Sequence, residues 1–196
     1  MRTVIVFNHP YEGSYCNAIL KSVMNGLHKA DQDVDLIHLD NDRFDPVMTK
    51  EDLKAFLDRK PVDPVVLNYT ERLARADHLI FIFPIWWEMM PALTKGFIDR
   101  VIFPGVAFEF KEKGHGMNQP GINLKGVTVI TTMNTPRLLY RLRYGNAVKK
   151  ALLTGTFFKL GYRNLKWINL SMVKSASDKK RRKWLNDIEA KFASPN

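Results

Sequence analysis

The sequence predicts a three-layer α/β sandwich, in which a five-stranded parallel sheet is covered by helices on both faces. Two observations predict it. Five short apolar runs rich in β-branched residues recur along the chain, at 3–8, 34–39, 78–83, 126–132 and 165–170. Each is too short for a helix and nearly continuous in hydrophobicity, as a strand buried on both sides must be. Between them lie stretches with apolar residues at helical spacing, and strands alternating with helices fold as a parallel sheet.

The first run (TVIVFN, 3–8) stops at His9-Pro10, because proline cannot continue a strand ladder. Ser14 offers an N-cap to a helix whose stripe is Ile19, Val23 and Leu27, ending near Ala30. The second run (VDLIHL, 34–39) is flanked by Asp-rich turns. Residues 49–60 and 64–76 predict two short helices separated by Pro61 and Pro64. The third run (HLIFIF, 78–83) is stopped by Pro84, and Pro91 suits the first turn of the next helix. That helix carries Leu93, Phe97 and Val101 on one stripe, with Ile98 and Ile102 beside it. The fourth run (GVTVITT, 126–132) leads into residues 137–153, whose composition predicts one helix. After the fifth run (LKWINL, 165–170), Ser177 caps a last helix with Trp184, Ile188 and Phe192 at four-residue spacing. No repeat, low-complexity tract or linker interrupts the chain, so residues 1–196 are expected to form a single domain.

Right-handed crossovers leave few topologies for such a sheet, and the commonest five-stranded order is the flavodoxin-like one, 2-1-3-4-5. Strands 1, 3 and 4 are then central, and ligands bind outside their carboxyl ends. The site is therefore expected from three loops, at 8–17, 84–91 and 131–137.

Composition narrows the function. A chain of 196 residues with 45% hydrophobic content builds one ordinary globular core. The longest apolar run, 79–87, has nine residues and contains a proline, whereas a membrane span needs about 20. The first residues lack the apolar core of a signal peptide. One cysteine, Cys16, excludes a disulfide framework and a thiolate-rich zinc site, and no metal is expected. These features point to a cytoplasmic enzyme or binding domain. The net charge of +10 is concentrated: residues 137–196 carry 15 Lys/Arg against 3 Asp/Glu, while residues 1–136 carry 15 against 17. Such a bias suits a polyanion or an anionic cofactor, or a solvated basic face. No nucleic-acid-binding motif accompanies it, so no nucleic-acid partner is expected.

The three loops are also the most unusual stretches. The first, 8–17 (NHPYEGSYCN), runs from a buried strand into a helix start, where free N–H groups favour an anion. Ser14 and Asn17 add donors and His9 lies within the same loop, yet no P-loop or GxGxxG pattern is present; Gly114 and Gly116 have near that spacing, with no strand before them. The second, 84–91 (PIWWEMMP), places Trp86, Trp87, Met89 and Met90 past a strand end between prolines. A broad planar ligand explains such a cluster better than a core cap does. The third, 131–136 (TTMNTP), brings hydroxyl and N–H donors to the same crevice.

The stretch FPIWWEMMPALTKGFIDRV, residues 83–101, resembles the flavodoxin-like NAD(P)H:quinone oxidoreductases, which include bacterial modulators of drug activity and ancillary subunits of potassium-efflux systems. His9-Pro10-Tyr11, Asn17 and the Thr131-Thr132 pair match the same family in order and spacing, and the resemblance covers most of 3–135. It implies that His9, Ser14, Tyr15, Cys16 and Asn17 hold a flavin phosphate. It implies that Pro84, Ile85, Trp86, Trp87 and Glu88 line the isoalloxazine together with Thr132, Met133, Asn134 and Thr135. Phe108 and Phe110 match two aromatics that the family places over the partner subunit's flavin; packing on their own chain is the other reading of that segment. The chain departs from the family twice. Met133 and Asn134 stand where glycines are usual, and no histidine occurs between Pro136 and Gly155, which leaves Tyr140, Arg141, Arg143 and Tyr144 as polar candidates.

The resemblance thus implies a homodimer that binds FMN, or FAD, takes hydride from NADH or NADPH, and passes it to quinone-like acceptors by ping-pong kinetics. The alternatives are a flavin-bound accessory subunit regulating a membrane transport system, with a peripheral membrane-protein partner, and a flavodoxin-like electron carrier. The basic run 179–183 cannot share one helix face and reads as a solvated helix start. Arg137, Arg141 and Arg143, following the fourth strand, are the cations expected at the crevice.

Overall fold

A computed structural model describes residues 1–110, 117–118 and 121–194. The elements are β1 (Arg2–Phe7), α1 (Tyr15–Lys29), β2 (Asp33–His38), α2 (Lys50–Asp58), α3 (Pro64–Ala74), β3 (His78–Pro84) and α4 (Ala92–Val101). They continue with β4 (Glu109–Phe110), β5 (Met117–Asn118), β6 (Gly126–Met133), α5 (Arg137–Leu142), a π-helix (Lys149–Phe158), β7 (Leu165–Ser171) and α6 (Asp178–Ala193). The main sheet has the order β2-β1-β3-β6-β7 and all its pairs are parallel, so its strands follow the expected 2-1-3-4-5. The short β4 and β5 pair antiparallel outside it. Gly114 and Gly116 lie outside the described residues.

Side-chain alternation along the strands builds two cores. Val4, Val6, Leu79, Phe81 and Phe83 pack with α3, α4 and the π-helix through Leu73, Phe97 and Phe157. Ile5, Phe7, Ile80 and Ile82 face α1 and α6, where Ile19, Val23, Ile188 and Phe192 close the opposite side. The α1–α6 seam is tight at Gly26: a Cβ there would lie 2.5 Å from the Glu189 carbonyl oxygen and 2.8 Å from the Phe192 Cβ. On the other face Arg100 ties the caps of α2 and α3 to α4. Its Nη2 lies 3.1 Å from Asp52 and 2.8 Å from Asp63, and its Nη1 donates to the Asp45 carbonyl at 2.7 Å. Among the described residues no helix is long and apolar enough to cross a membrane.

Helix starts follow the sequence closely. Ser14 Oγ accepts the Asn17 N–H at 3.1 Å, Ser177 caps α6, and Thr49 with Asp52 forms a capping box. Pro91 takes the N-cap position of α4 rather than its first turn. The single helix expected over 137–153 does not form. α5 ends at Leu142, Gly145 and Asn146 adopt left-handed backbone (φ 60° and 55°), and the chain resumes as the π-helix. The break is filled by Tyr140, fully buried, whose hydroxyl accepts the Val148 N–H at 3.0 Å.

Candidate functional site

A cavity of about 300 Å³ opens at the carboxyl ends of β1, β3 and β6, at the switch point of the sheet. Its first wall is the loop after β1. Asn8, buried, anchors that loop: its amide donates to Asp40 at 2.9 Å and its Oδ1 accepts the Thr94 hydroxyl at 2.9 Å. His9 Nδ1 accepts the Tyr11 N–H at 3.1 Å, which leaves Nε2 as the protonated nitrogen, a donor with no acceptor among the described residues. Burial pulls the His9 pKa down, against the opposing charge of Asp40, so the ring is neutral at pH 7. Tyr15 and Cys16 open α1 and line the cavity, and their N–H groups have no intrahelical acceptor. The Tyr15 hydroxyl donates to the Arg181 carbonyl at 2.7 Å, joining α1 to the first turn of α6. Cys16 Sγ lies 3.3 Å from Thr132 Oγ1, and burial pushes its thiol up to about 11.

The loop after β3 forms the second wall. The Ile85 N–H donates to the Thr132 carbonyl at 2.8 Å, stitching it to the end of β6. Trp86 and Met89 then exchange two 3.0 Å backbone hydrogen bonds around a tight turn with Trp87 and Glu88 at its tip. Pro84, Ile85 and Trp86 line the cavity, with the His9 and Trp86 rings 6.2 Å apart edge to face. Trp87 does not: at 98% exposure it projects into solvent from a left-handed position. Glu88 turns sideways, its Oε1 accepting the Thr135 hydroxyl at 2.6 Å.

The third wall is the end of β6. Thr132, Met133 and Asn134 line the cavity. Met133, standing where the resemblance expects glycine, is buried in the core with its side chain. A fourth segment holds this wall in place, and sequence reasoning missed it. Val173 and Lys174 also line the cavity. Their N–H groups donate to the Met133 carbonyl at 3.2 Å and to Asn134 Oδ1 at 3.0 Å, and the Ser171 hydroxyl donates to the Thr135 carbonyl at 2.7 Å. The available signal was topological, since β7 neighbours β6 and its following loop opens on the same rim.

The structure thus brings His9, Tyr15, Cys16, Pro84, Ile85 and Trp86 at the end of β3, and three residues at the end of β6 around one cavity. Ser14 and Asn17 support the start of α1 as cap and capped residue without lining it. Glu88 and Thr135 bond each other at its edge. Phe108 is buried in the core of its own chain, beside Ile102 and Leu160, and the side chain of Phe110 lies outside the described residues. Tyr140 has both roles of its hydroxyl committed, to Val148 and to the Glu88 carbonyl at 2.9 Å. Arg141, Arg143 and Tyr144 are exposed and none of them lines the cavity. Neither arginine enters the crevice: Tyr140 takes the inward position, Arg141 is turned about 100° from it, and Arg143 follows the last residue of α5 on the exposed side. The lining cation is Lys174.

Comparison with known proteins agrees with this architecture. A family model described as a flavodoxin-like fold matches residues 1–192. The solved structure of Smu.1420 from Streptococcus mutans UA159 superimposes with a TM-score of 0.85 and 33% identity, covering 98% of this chain and 99% of that one. The uncharacterized NAD(P)H oxidoreductase YcaK of Escherichia coli (strain K12) is 30% identical over 66% of this chain and 64% of its own length. An FMN-dependent NADH:quinone oxidoreductase of Macrococcus caseolyticus (strain JCSC5402) is 26% identical over 58% of this chain and 61% of its own. The chain thus spans a little under two thirds of the length of these two relatives. With the strand order, the crevice at its switch point and a family match over nearly every residue in agreement, the chain belongs to the flavodoxin-like family.

Proposed function

We propose that this chain is a flavin-dependent NAD(P)H oxidoreductase that holds FMN in the crevice and reduces quinones or similar flat electrophiles. The observation that carries the proposal is the composition of the crevice. N–H groups at the start of α1 that have no backbone acceptor among the described residues, the Nε2 donor of His9 and the charge of Lys174 suit a phosphate. Beside them the indole of Trp86, Ile85 and the Thr132–Asn134 backbone suit a flat, polar-edged ring. Two relatives named for NAD(P)H or FMN-dependent NADH oxidation support the same assignment.

When bound, FMN would supply the hydride chemistry, which belongs to the cofactor rather than to side chains. The protein's part is to bind, orient and exclude water. Backbone N–H groups of Trp87 and Glu88, free of backbone acceptors among the described residues, are donors for the ring edge. Asn8, pinned to Asp40 and Thr94, fixes the direction in which His9 leaves β1. Nicotinamide and acceptor use the crevice in turn, which is the basis of ping-pong kinetics. Tyr140 moves no proton, since its hydroxyl is fully engaged in the fold.

We further propose a cytoplasmic homodimer in which the segment 106–110 reaches the partner subunit's crevice, with Phe108 anchoring that segment in its own core. The test is reconstitution. Titrating the purified protein with FMN and FAD should quench tryptophan fluorescence, and the complex should oxidise NADH or NADPH with a benzoquinone as acceptor. If neither flavin binds at micromolar concentration, the assignment fails. Flavin binding with negligible turnover would move it to an accessory subunit, and a stable one-electron intermediate in a dithionite titration to an electron carrier. Sedimentation of a fully active monomer would remove the dimer.

A further inference from the structure

The turn that carries the two tryptophans is built against its own backbone preference. Trp87 and Glu88 have φ of 49° and 62°, a pair of left-handed residues that such turns normally assign to Asn-Gly or Gly-Gly. Side-chain-bearing residues persist there only when their surroundings over-determine the conformation. Here the surroundings grip one residue at both ends. The Thr135 hydroxyl holds the Glu88 carboxylate at 2.6 Å, and the Tyr140 hydroxyl holds the Glu88 carbonyl at 2.9 Å. Tyr140 is fully buried and braced by the Val148 N–H at 3.0 Å, so the second grip is backed by the core. The other carboxylate oxygen, Glu88 Oε2, is buried with no partner among the described residues. A burial of that kind costs stability rather than adding it, so stability alone does not account for the residue.

We infer that Glu88, Thr135 and Tyr140 form a latch that positions the Trp86–Trp87 turn over the crevice, acting as positioning residues and not as groups that touch the reacting atoms. The inference rests on the flavin assignment of that crevice. It ties the loop after β3 to the loop after β6 and to the break following α5, so three elements set the place of one indole. Ordering the turn before the ligand arrives removes an entropy cost from binding. Releasing the latch therefore weakens affinity while leaving the fold in place.

The experiment compares the wild-type apoprotein with Glu88→Ala, Thr135→Val and Thr135→Ser. FMN affinity is read by tryptophan quenching, thermal midpoint by calorimetry, and turn order by near-ultraviolet circular dichroism. Glu88→Ala and Thr135→Val are expected to weaken FMN about tenfold, with apoprotein midpoints within about 2 °C of wild type. Thr135→Ser, which keeps the hydroxyl, restores affinity. Wild-type affinity in Glu88→Ala overturns the latch, as does a loss of affinity that merely tracks a fall in midpoint. If the wild-type protein itself binds no flavin, the assignment of the crevice fails, and the dichroism decides the latch separately. An indole signal unchanged in Glu88→Ala would then overturn it.

Discussion

The buried imidazole at the start of β3 gives the molecule a defined acid response. His78 is 9% exposed, with Nε2 2.9 Å from Thr128 Oγ1. Burial first, and the charge of Lys166 second, push its pKa down to about 4 from an ordinary 6.5. The unfolded chain takes up this proton near pH 6.5 and the folded chain only near 4. His78 therefore lends full stability above about pH 6.5, and that contribution is lost as pH falls towards 4. The loss reaches about 3 kcal/mol. Urea midpoints at pH 7.5 and pH 5 should differ in the wild type and differ less in His78→Gln; equal slopes would clear His78. At the same scale, Cys16 is at once a small buried side chain and part of the cavity wall. Its raised pKa makes it an inert surface rather than a nucleophile.

Among the elements, the α1–α6 seam is the least tolerant of added volume. A methyl at Gly26 meets the Glu189 carbonyl and Phe192, both fixed within α6, so the helices must separate. Gly26→Ala is expected to destabilise the fold by about 1–3 kcal/mol, read as a lower urea midpoint. A neutral result would mean that α6 shifts freely. The helices themselves were legible where caps and stripes agree, as at Ser14 and Ser177. The region 137–153 was not, because its composition favours helix on both sides of Gly145 and Asn146. Those two residues are a stop signal, and what makes the break stable is Tyr140, whose hydroxyl satisfies the N–H of Val148, eight residues further along the chain. That pairing exists only once the core has closed over the tyrosine.

For the whole molecule the question is where the excess positive charge acts. The basic run 179–183 begins α6 and is largely solvated, although Arg181 is half-buried and donates to the Val173 carbonyl at 3.3 Å. Arg141 and Arg143 point to solvent, and Lys174 lines the cavity. Lys174→Gln is therefore expected to weaken FMN binding several-fold and to flatten its salt dependence, whereas Arg141→Gln with Arg143→Gln changes it little. Affinities measured at two salt concentrations check this, and the reverse ranking would return the anion site to the segment after β6.

Hydrophobic runs, proline stops and helix caps determined the strands of the main sheet, their order and the three loops of the crevice, because each is written in neighbouring residues and a parallel sheet leaves few ways to join them. They also determined most of its walls, from His9 through Trp86 to Asn134. Tertiary structure alone decided the rest. Val173 and Lys174 reach the site because β7 lies beside β6, Trp87 leaves it because two left-handed residues turn its side chain outward, and the Glu88 side chain turns to the cavity's edge because Thr135 meets it there while Tyr140 holds its carbonyl. Those contacts join residues 36 to 52 positions apart, and no local pattern encodes a partner that only the folded sheet brings within hydrogen-bonding distance.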